Sequence, residues 1–130
     1  MLQSTSIDFL IRIKNAYQAG KKQIVTPSSN FCLDIADLLK KFKFIKDFSF
    51  NKGVKPTITL DLYPTTVGRA KITKVKIFSK PGRRVYEKAS SLPWGETPSS
   101  LIIISTSTGV MSQKEAKVKG LGGEIIAEIY

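Results

Sequence analysis

The 130 residues predict a mixed α/β (α+β) fold in two small halves, an N-terminal helix-strand-helix-three-strand unit and a C-terminal mostly-β unit with a short helix. Three observations lead there. Apolar residues at helical spacing are concentrated in 4–19 and 31–43, with one short capped segment after Ser112. Strand-length apolar runs, alternating or continuous, account for most of the rest. A Lys80-Pro81-Gly82-Arg83-Arg84 turn interrupts these runs, and the boundary is placed there, giving halves 1–79 and 80–130. A chain of this length can bury a modest core.

The opening helix, 4–19, sets Ile7, Leu10, Ile11 and Tyr17 on one side, and Thr5 with Asp8 can form a capping pair. Arg12, Lys14 and Asn15 lie elsewhere around the turn, where a solvated face and a ligand-contacting face look alike. Gly20-Lys21-Lys22 ends the helix, 23–26 is a short strand, and Pro27-Ser28-Ser29-Asn30 is a turn rich in N-cap residues. The helix over 31–43 directs Phe31, Ile35, Leu38, Leu39 and Phe42 to the core. Cys32, on its apolar side, reads as a small core residue. Asp34 near its start and Lys40, Lys41 and Lys43 near its end complement the helix dipole, which gives those lysines a structural reason.

Strands follow. Phe48 and Phe50 share a face, Lys52-Gly53 marks a turn, and 57–63 alternates cleanly with Ile58, Leu60 and Leu62 inward, until Pro64 breaks it. In the strand expected at 72–78, Lys74 and Lys76 share a face, a pattern that also guards sheet edges against pairing. Residues 90–100 are irregular, with Trp94 either a plug for the half's core or an exposed contact.

The charge narrows the function. Lys and Arg number 21 against 10 Asp and Glu, a net charge of +11 and a pI near 9.9, which is the footprint of a polyanion partner. A hydrophobic fraction of 42% separates the chain from disordered basic tails. Histidine is absent and cysteine occurs once, which excludes the common zinc sites, a His-dependent general base and a disulfide within the chain. No apolar run approaches a membrane span, and the start has no signal-peptide pattern. No cofactor, metal, membrane or small-molecule substrate is expected.

The stretch that carries the chemistry is 101–124. Four apolar residues, 101–104, read as a buried strand, and Ser105-Thr106-Ser107-Thr108-Gly109 follows. Ser112 and Glu115 have capping-box spacing for a helix that Lys117, Lys119 and Gly120 would close, and a last strand spans 125–130. This reading sets the hydroxyl run between a strand end and a helix N-terminus, a place that favours anions. Taken alone, the run reads first as an ordinary polar turn. Hydroxyls and backbone amides suit phosphate oxygens, ribose 2′-OH groups and base edges. Ser105, Thr106, Ser107 and Thr108 are the candidate contacts, Gly109 lets the backbone turn, and Glu124 either orients the loop, accepts from a base amino group, or is a rim carboxylate.

Residues 69–88 hold eight Lys/Arg and one acid, Glu87. Adjacent Arg83 and Arg84 after a Pro-Gly turn suit phosphate contact. Tyr86 is open to two readings, a base-stacking ring or a buried one. A phosphate-handling enzyme is disfavoured, because the Lys-Ser/Thr ending of a P-loop and an acidic cluster for magnesium are missing. A generic basic module for nucleic acid, driven by charge alone, stays open on these residues.

STSTGVM, an EA dipeptide shortly after it, and GLGGEI together resemble the signature of the family of the eighth protein of the small ribosomal subunit, bacterial type. Lys80-Pro81-Gly82-Arg83-Arg84-Val85-Tyr86 is similar to that family's basic Pro-Gly segment, Arg12-Ile13-Lys14-Asn15-Ala16 to its Arg-Ile-Arg-Asn helix motif, and Pro27-Ser28-Ser29 to its Pro-Ser-Ser turn. The resemblance spans nearly the whole chain in order. It implies a structural, non-enzymatic constituent of the small ribosomal subunit that binds a central-domain rRNA stem directly and helps assembly beside neighbouring small-subunit proteins. It further implies that the loop at 105–109 enters the stem's minor groove, with Gly122, Gly123 and Glu124 beside it. Arg12, Lys14, Asn15, Ser28 and Ser29 are implied as further RNA contacts. The chain departs from the family at Lys14, where arginine is common, at Asn30, where lysine is common, and at 98–101, where a Gly-rich approach is common. The localisation implied is the ribosome of a bacterial cytoplasm or of an organelle, mitochondrion or plastid.

Overall fold

The computed structural model describes residues 4–64, 72, 74–80, 82–93 and 100–130, with the side chains of 4–6 excepted. The Thr5 half of the expected capping pair, Arg69, Pro81, Trp94 and most of 90–100 beyond residue 93 lie outside the described residues.

Helix α1, Ser4–Gln18, packs through Phe9, Leu10, Ile13, Ala16 and Tyr17. The stripe is rotated from the expected one: Phe9 and Ile13 take its centre, and Ile7 and Ile11 fall to its half-buried margin. Tyr17 is fully buried, and its hydroxyl donates to the Phe44 carbonyl at 2.6 Å and accepts from the Tyr63 N–H at 3.2 Å. Burial pushes its phenol pKa up from the ordinary range. β1, Gln23–Pro27, leads to α2, Asn30–Lys41, whose N-cap is Ser29: its Oγ accepts from the Cys32 N–H at 3.2 Å. Cys32, Ile35, Ala36, Leu38 and Leu39 are buried as the spacing predicts. Phe42 is a correction. The helix stops one residue before it, Lys43 reverses the chain at φ 63°, and the ring is left 41% exposed while Phe44 and Ile45 enter the core instead.

β2, Asp47–Asn51, and β3, Thr57–Asp61, complete a three-stranded antiparallel sheet of order β1-β3-β2. Ile24, Leu60 and Phe48 lie in one cross-strand row, and Ile58, Leu60 and Leu62 are all buried. β4, Val75–Ile77, realises only part of the strand expected at 72–78; it follows the small sheet in sequence but hydrogen-bonds to the last strand. The second sheet contains β4, β5 (Tyr86–Glu87), β6 (Leu101–Thr106), β7 (Gly109–Ser112) and β8 (Gly123–Ile129). Its order is β4-β8-β6-β7, with β5 also on β8, and every pairing is antiparallel. Between β7 and β8 sits α3, Gln113–Lys119, capped by Ser112 Oγ on the Glu115 N–H at 3.2 Å and ended by Gly120 in the left-handed region. The Ser112 half of the expected capping box forms, and Glu115 turns its carboxylate towards Lys119 and Lys41.

The second sheet is covered on both faces. Leu101, Ile103, Ala127 and Ile129 join the main core with α1, α2 and the small sheet, whereas Ile102, Ile104 and Ile125 form a second cluster with Leu92, Met111 and Ala116. Burial on both faces is why 101–104 reads as a continuous apolar run and not an alternating one. Each buried Leu, Ile or Met among them contributes roughly 1.5–3 kcal/mol over its exposed state. Among the described residues, no helix is long and apolar enough to cross a membrane.

Candidate nucleic-acid interface

The hydroxyl run does not join a strand to a helix. Ser105 and Thr106 end β6, Ser107 and Thr108 form the turn, and Gly109 starts β7, pairing with Thr106. The expected site at a helix N-terminus is therefore replaced by a hairpin tip, and α3 starts a full strand later. Gly109 makes the tight return possible with φ 134°, a conformation that side chains rarely adopt. Thr106 holds the tip from within. Its Oγ1 lies 2.8 Å from the Gly109 carbonyl as donor, accepts from the Thr108 N–H at 3.3 Å, and sits 3.2 Å from Thr108 Oγ1. Ser107 and Thr108 are exposed, and Ser105 is half-buried at the base.

β8 brings distant residues to that base. Glu124 lies opposite Ser105 on one side and opposite Tyr86 on the other, so the three share one cross-strand row and one face. Tyr86 is exposed, which overturns the buried reading of its ring. Glu124 is only 5% exposed, and Arg84 Nη1 stands 3.5 Å from its Oε2. A carboxylate so far removed from water needs a cationic partner, because its desolvation is costly unpaired. Adjacent Arg83 and Arg84 thus differ: Arg84 is half-buried and turned to Glu124, and Arg83 is exposed.

Two residue types that the sequence did not single out as structural hold this strip. Ser79 is fully buried; its Oγ donates to the Ile125 carbonyl at 2.6 Å and accepts from the Val85 N–H at 2.9 Å, tying the basic turn to β8. Within that turn Lys80 and Arg83 exchange two backbone hydrogen bonds of 2.9 Å. Gly122 and Gly123 act by close approach. A Cβ on Gly123 would run into the Ser105 carbonyl, and one on Gly122 would lie 2.5 Å from the Glu87 carbonyl oxygen and 2.8 Å from Lys88 Cα. The start of β8 is wedged between the hairpin and the chain after β5, which sets the spacing of the row.

The N-terminal candidates form a second group, on α1 and the small sheet. Arg12 and Asn15 line an open groove of about 520 Å³ between α1 and β1, with Lys21, Gln23 and Thr26. Lys14 is half-buried on another side of the helix. Ser29 is committed to capping α2, and Ser28 Oγ is buried without a hydrogen-bond partner among the described residues. Thr26 is the residue missed here. It is 2% exposed, and its Oγ1 likewise lacks a partner among the described residues. The signal was a hydroxyl at a register position flanked by core-facing Ile24 and Ile58. Among the described residues, no group of three or more His, Cys, Asp or Glu could hold a metal ion.

A net charge of +11, an exposed hydroxyl tip over a row of mixed polar groups, and an open groove with arginine and lysine on its walls give a basic protein whose surface suits a polyanion. Sequence comparison gives the family. The family model described as ribosomal protein S8 matches residues 5–130. A Marinomonas protein named small ribosomal subunit protein uS8 is 38% identical over 129 residues, covering 99% of this chain and 98% of its own. Proteins of the same name from Pelagibacter ubique and Mesoplasma florum are 41% and 40% identical, each across 95% of this chain and 94% and 95% of their own. This chain belongs to the ribosomal protein S8 family.

Proposed function

We propose that this protein is a non-enzymatic constituent of the small ribosomal subunit, bacterial or organellar, that binds a central-domain rRNA stem directly and takes part in assembly. The observation that supports this reading best is the row Ser105–Glu124–Tyr86 beneath the exposed Ser107-Thr108 tip. The wide, shallow minor groove of A-form RNA displays 2′-OH groups and base edges, and short hydroxyl side chains on a rigid tip can approach them closely. Tyr86 offers an exposed ring for stacking, and Arg83 a charge for phosphate. Arg84 orients Glu124, whose carboxylate accepts from a base amino group at the base of the tip. Gly122 and Gly123 set the height of the row and Thr106 the shape of the tip.

The two contact regions correspond to the halves 1–79 and 80–130. In the first, Arg12 and Asn15 meet the sugar-phosphate backbone at the groove, Lys14 adds charge, and Ser28 and Ser29 add contacts from the turn between β1 and α2. Phosphate contacts position the RNA and supply salt-dependent affinity; the hairpin supplies discrimination. Titration of the protein against a hairpin copied from the stem and a scrambled hairpin of equal length, at several salt concentrations, tests this. A preference of roughly a hundredfold that survives near-physiological salt is expected. Equal, salt-labile binding to both would reduce the protein to a generic basic module.

A further inference from the structure

α2 and α3 come from opposite ends of the chain and finish beside each other. Phe42, just past α2, and Val118, near the end of α3 and 88% exposed, line one shallow depression of about 460 Å³. Its walls carry three lysines, Lys41, Lys114 and Lys119, and one acid, Glu115. The Glu115 carboxylate lies 3.8 Å from Lys41 Nζ and 3.7 Å from Lys119 Nζ, so it is held between two of those lysines and the rim stays net positive. Val118 is almost wholly in solvent and Phe42 leaves 41% of its surface there, while α3 buries Ala116 and Gln113 and the chain after α2 buries Phe44 and Ile45. Large apolar groups exposed side by side within a charged rim mark an interaction surface.

We infer that this depression docks an acidic segment of a neighbouring protein, one that inserts an apolar side chain between Phe42 and Val118 and sets Asp or Glu against the lysine rim. The charge of the rim selects the sign of the partner, and the apolar floor selects its kind. RNA brings the negative charge, but its ribose and phosphate leave an aliphatic Val118 uncovered or bury polar groups against it. A protein segment satisfies both. Complementary rim charge steers the encounter, and the central apolar contact holds the complex. The inference rests on incorporation into a ribosomal subunit and adds to it a surface and a partner chemistry.

The test uses Val118→Cys carrying a thiol-linked benzophenone. Cys32, the chain's sole native cysteine, is 1% exposed and stays unlabelled. Labelled protein is assembled into small subunits, and sedimentation reports incorporation; failure at that step counts against the ribosomal role and not against the surface. Incorporated particles are irradiated and the crosslinked peptide is sequenced. The expected product is a single protein segment with acidic residues flanking an apolar one, and adding Lys41→Glu and Lys114→Glu lowers its yield about tenfold, equivalent to about 1.4 kcal/mol. Crosslinks to RNA, to a basic segment or to a second copy of this chain, or no crosslink in incorporated particles, overturn the inference.

Discussion

The hairpin strip and the α1/β1 groove are both polar, but they are built on opposite rules. In the strip, the inner groups are committed: Thr106 to its own turn, Glu124 to Arg84, Ser79 to two backbone groups. What the tip leaves outward, Ser107 and Thr108, is short and uncharged. In the groove, arginine and lysine project from the walls, and a buried threonine hydroxyl has no partner among the described residues. A preorganised uncharged edge discriminates between ligands, whereas flexible cations hold any polyanion. On the proposed function, discrimination falls to the hairpin strip, and the groove adds salt-dependent affinity.

The largest expected effect breaks the strip without touching a side chain in it. Gly123→Ala forces backbone against the Ser105 carbonyl. It should cost about 3 kcal/mol, roughly 10 °C in Tm, with loss of selective RNA binding; a wild-type melting curve would remove the close approach from the account. Next comes the support of the groove's helix. Tyr17→Phe leaves the Phe44 carbonyl and the Tyr63 N–H without their buried partner and should cost roughly 1–3 kcal/mol in urea unfolding. The raised pKa of Tyr17 adds a pH signature. Its contribution is complete below the ordinary tyrosine value of 10.0 and fades as pH rises from there through the higher folded value, because the unfolded chain ionises first. Alkaline melts should show this decline in wild type and a weaker one in the phenylalanine variant.

Ser107→Ala sharpens the comparison. Binding to the cognate hairpin should weaken by roughly 1–2 kcal/mol, with little change on a random duplex; equal losses on both would sink the discriminating role of the tip. The smallest effect is expected from Arg83→Ala, which should weaken both RNAs slightly and reduce the salt slope by about 1. An unchanged slope takes Arg83 out of the phosphate set. Arg84→Ala should differ from it by destabilising the fold, since it strands Glu124.

How much of this was legible follows from the range of the interactions. Helices α1 and α2, the inward row Ile58, Leu60 and Leu62, and the Ser112 and Gly120 ends of α3 depend on residues a few positions apart, and the spacing shows them. β7 was missed because Gly109-Val110-Met111-Ser112 is too short, and too broken by glycine and serine, to show a period; only pairing with β6 makes it a strand. Phe42 follows the helical spacing, but the helix ends at Lys41 and Lys43 then reverses the chain. The candidate residues at 105–109 and 122–124 were visible as a motif. Their mechanics were not, because Glu124 meets Arg84 forty positions away and Ser79 meets Ile125 forty-six away, separations that no local pattern encodes.

The most direct test sets the two regions against each other. Ser105→Ala/Ser107→Ala in the strip and Arg12→Ala/Lys21→Ala in the groove are titrated on cognate and scrambled hairpins across salt. The serine pair should lose most of the preference between the hairpins and keep the wild-type salt slope. The groove pair should keep the preference and lose about 2 from the slope. If both pairs lose preference and slope in the same proportion, discrimination and affinity are not divided between the two sheets, and the account fails.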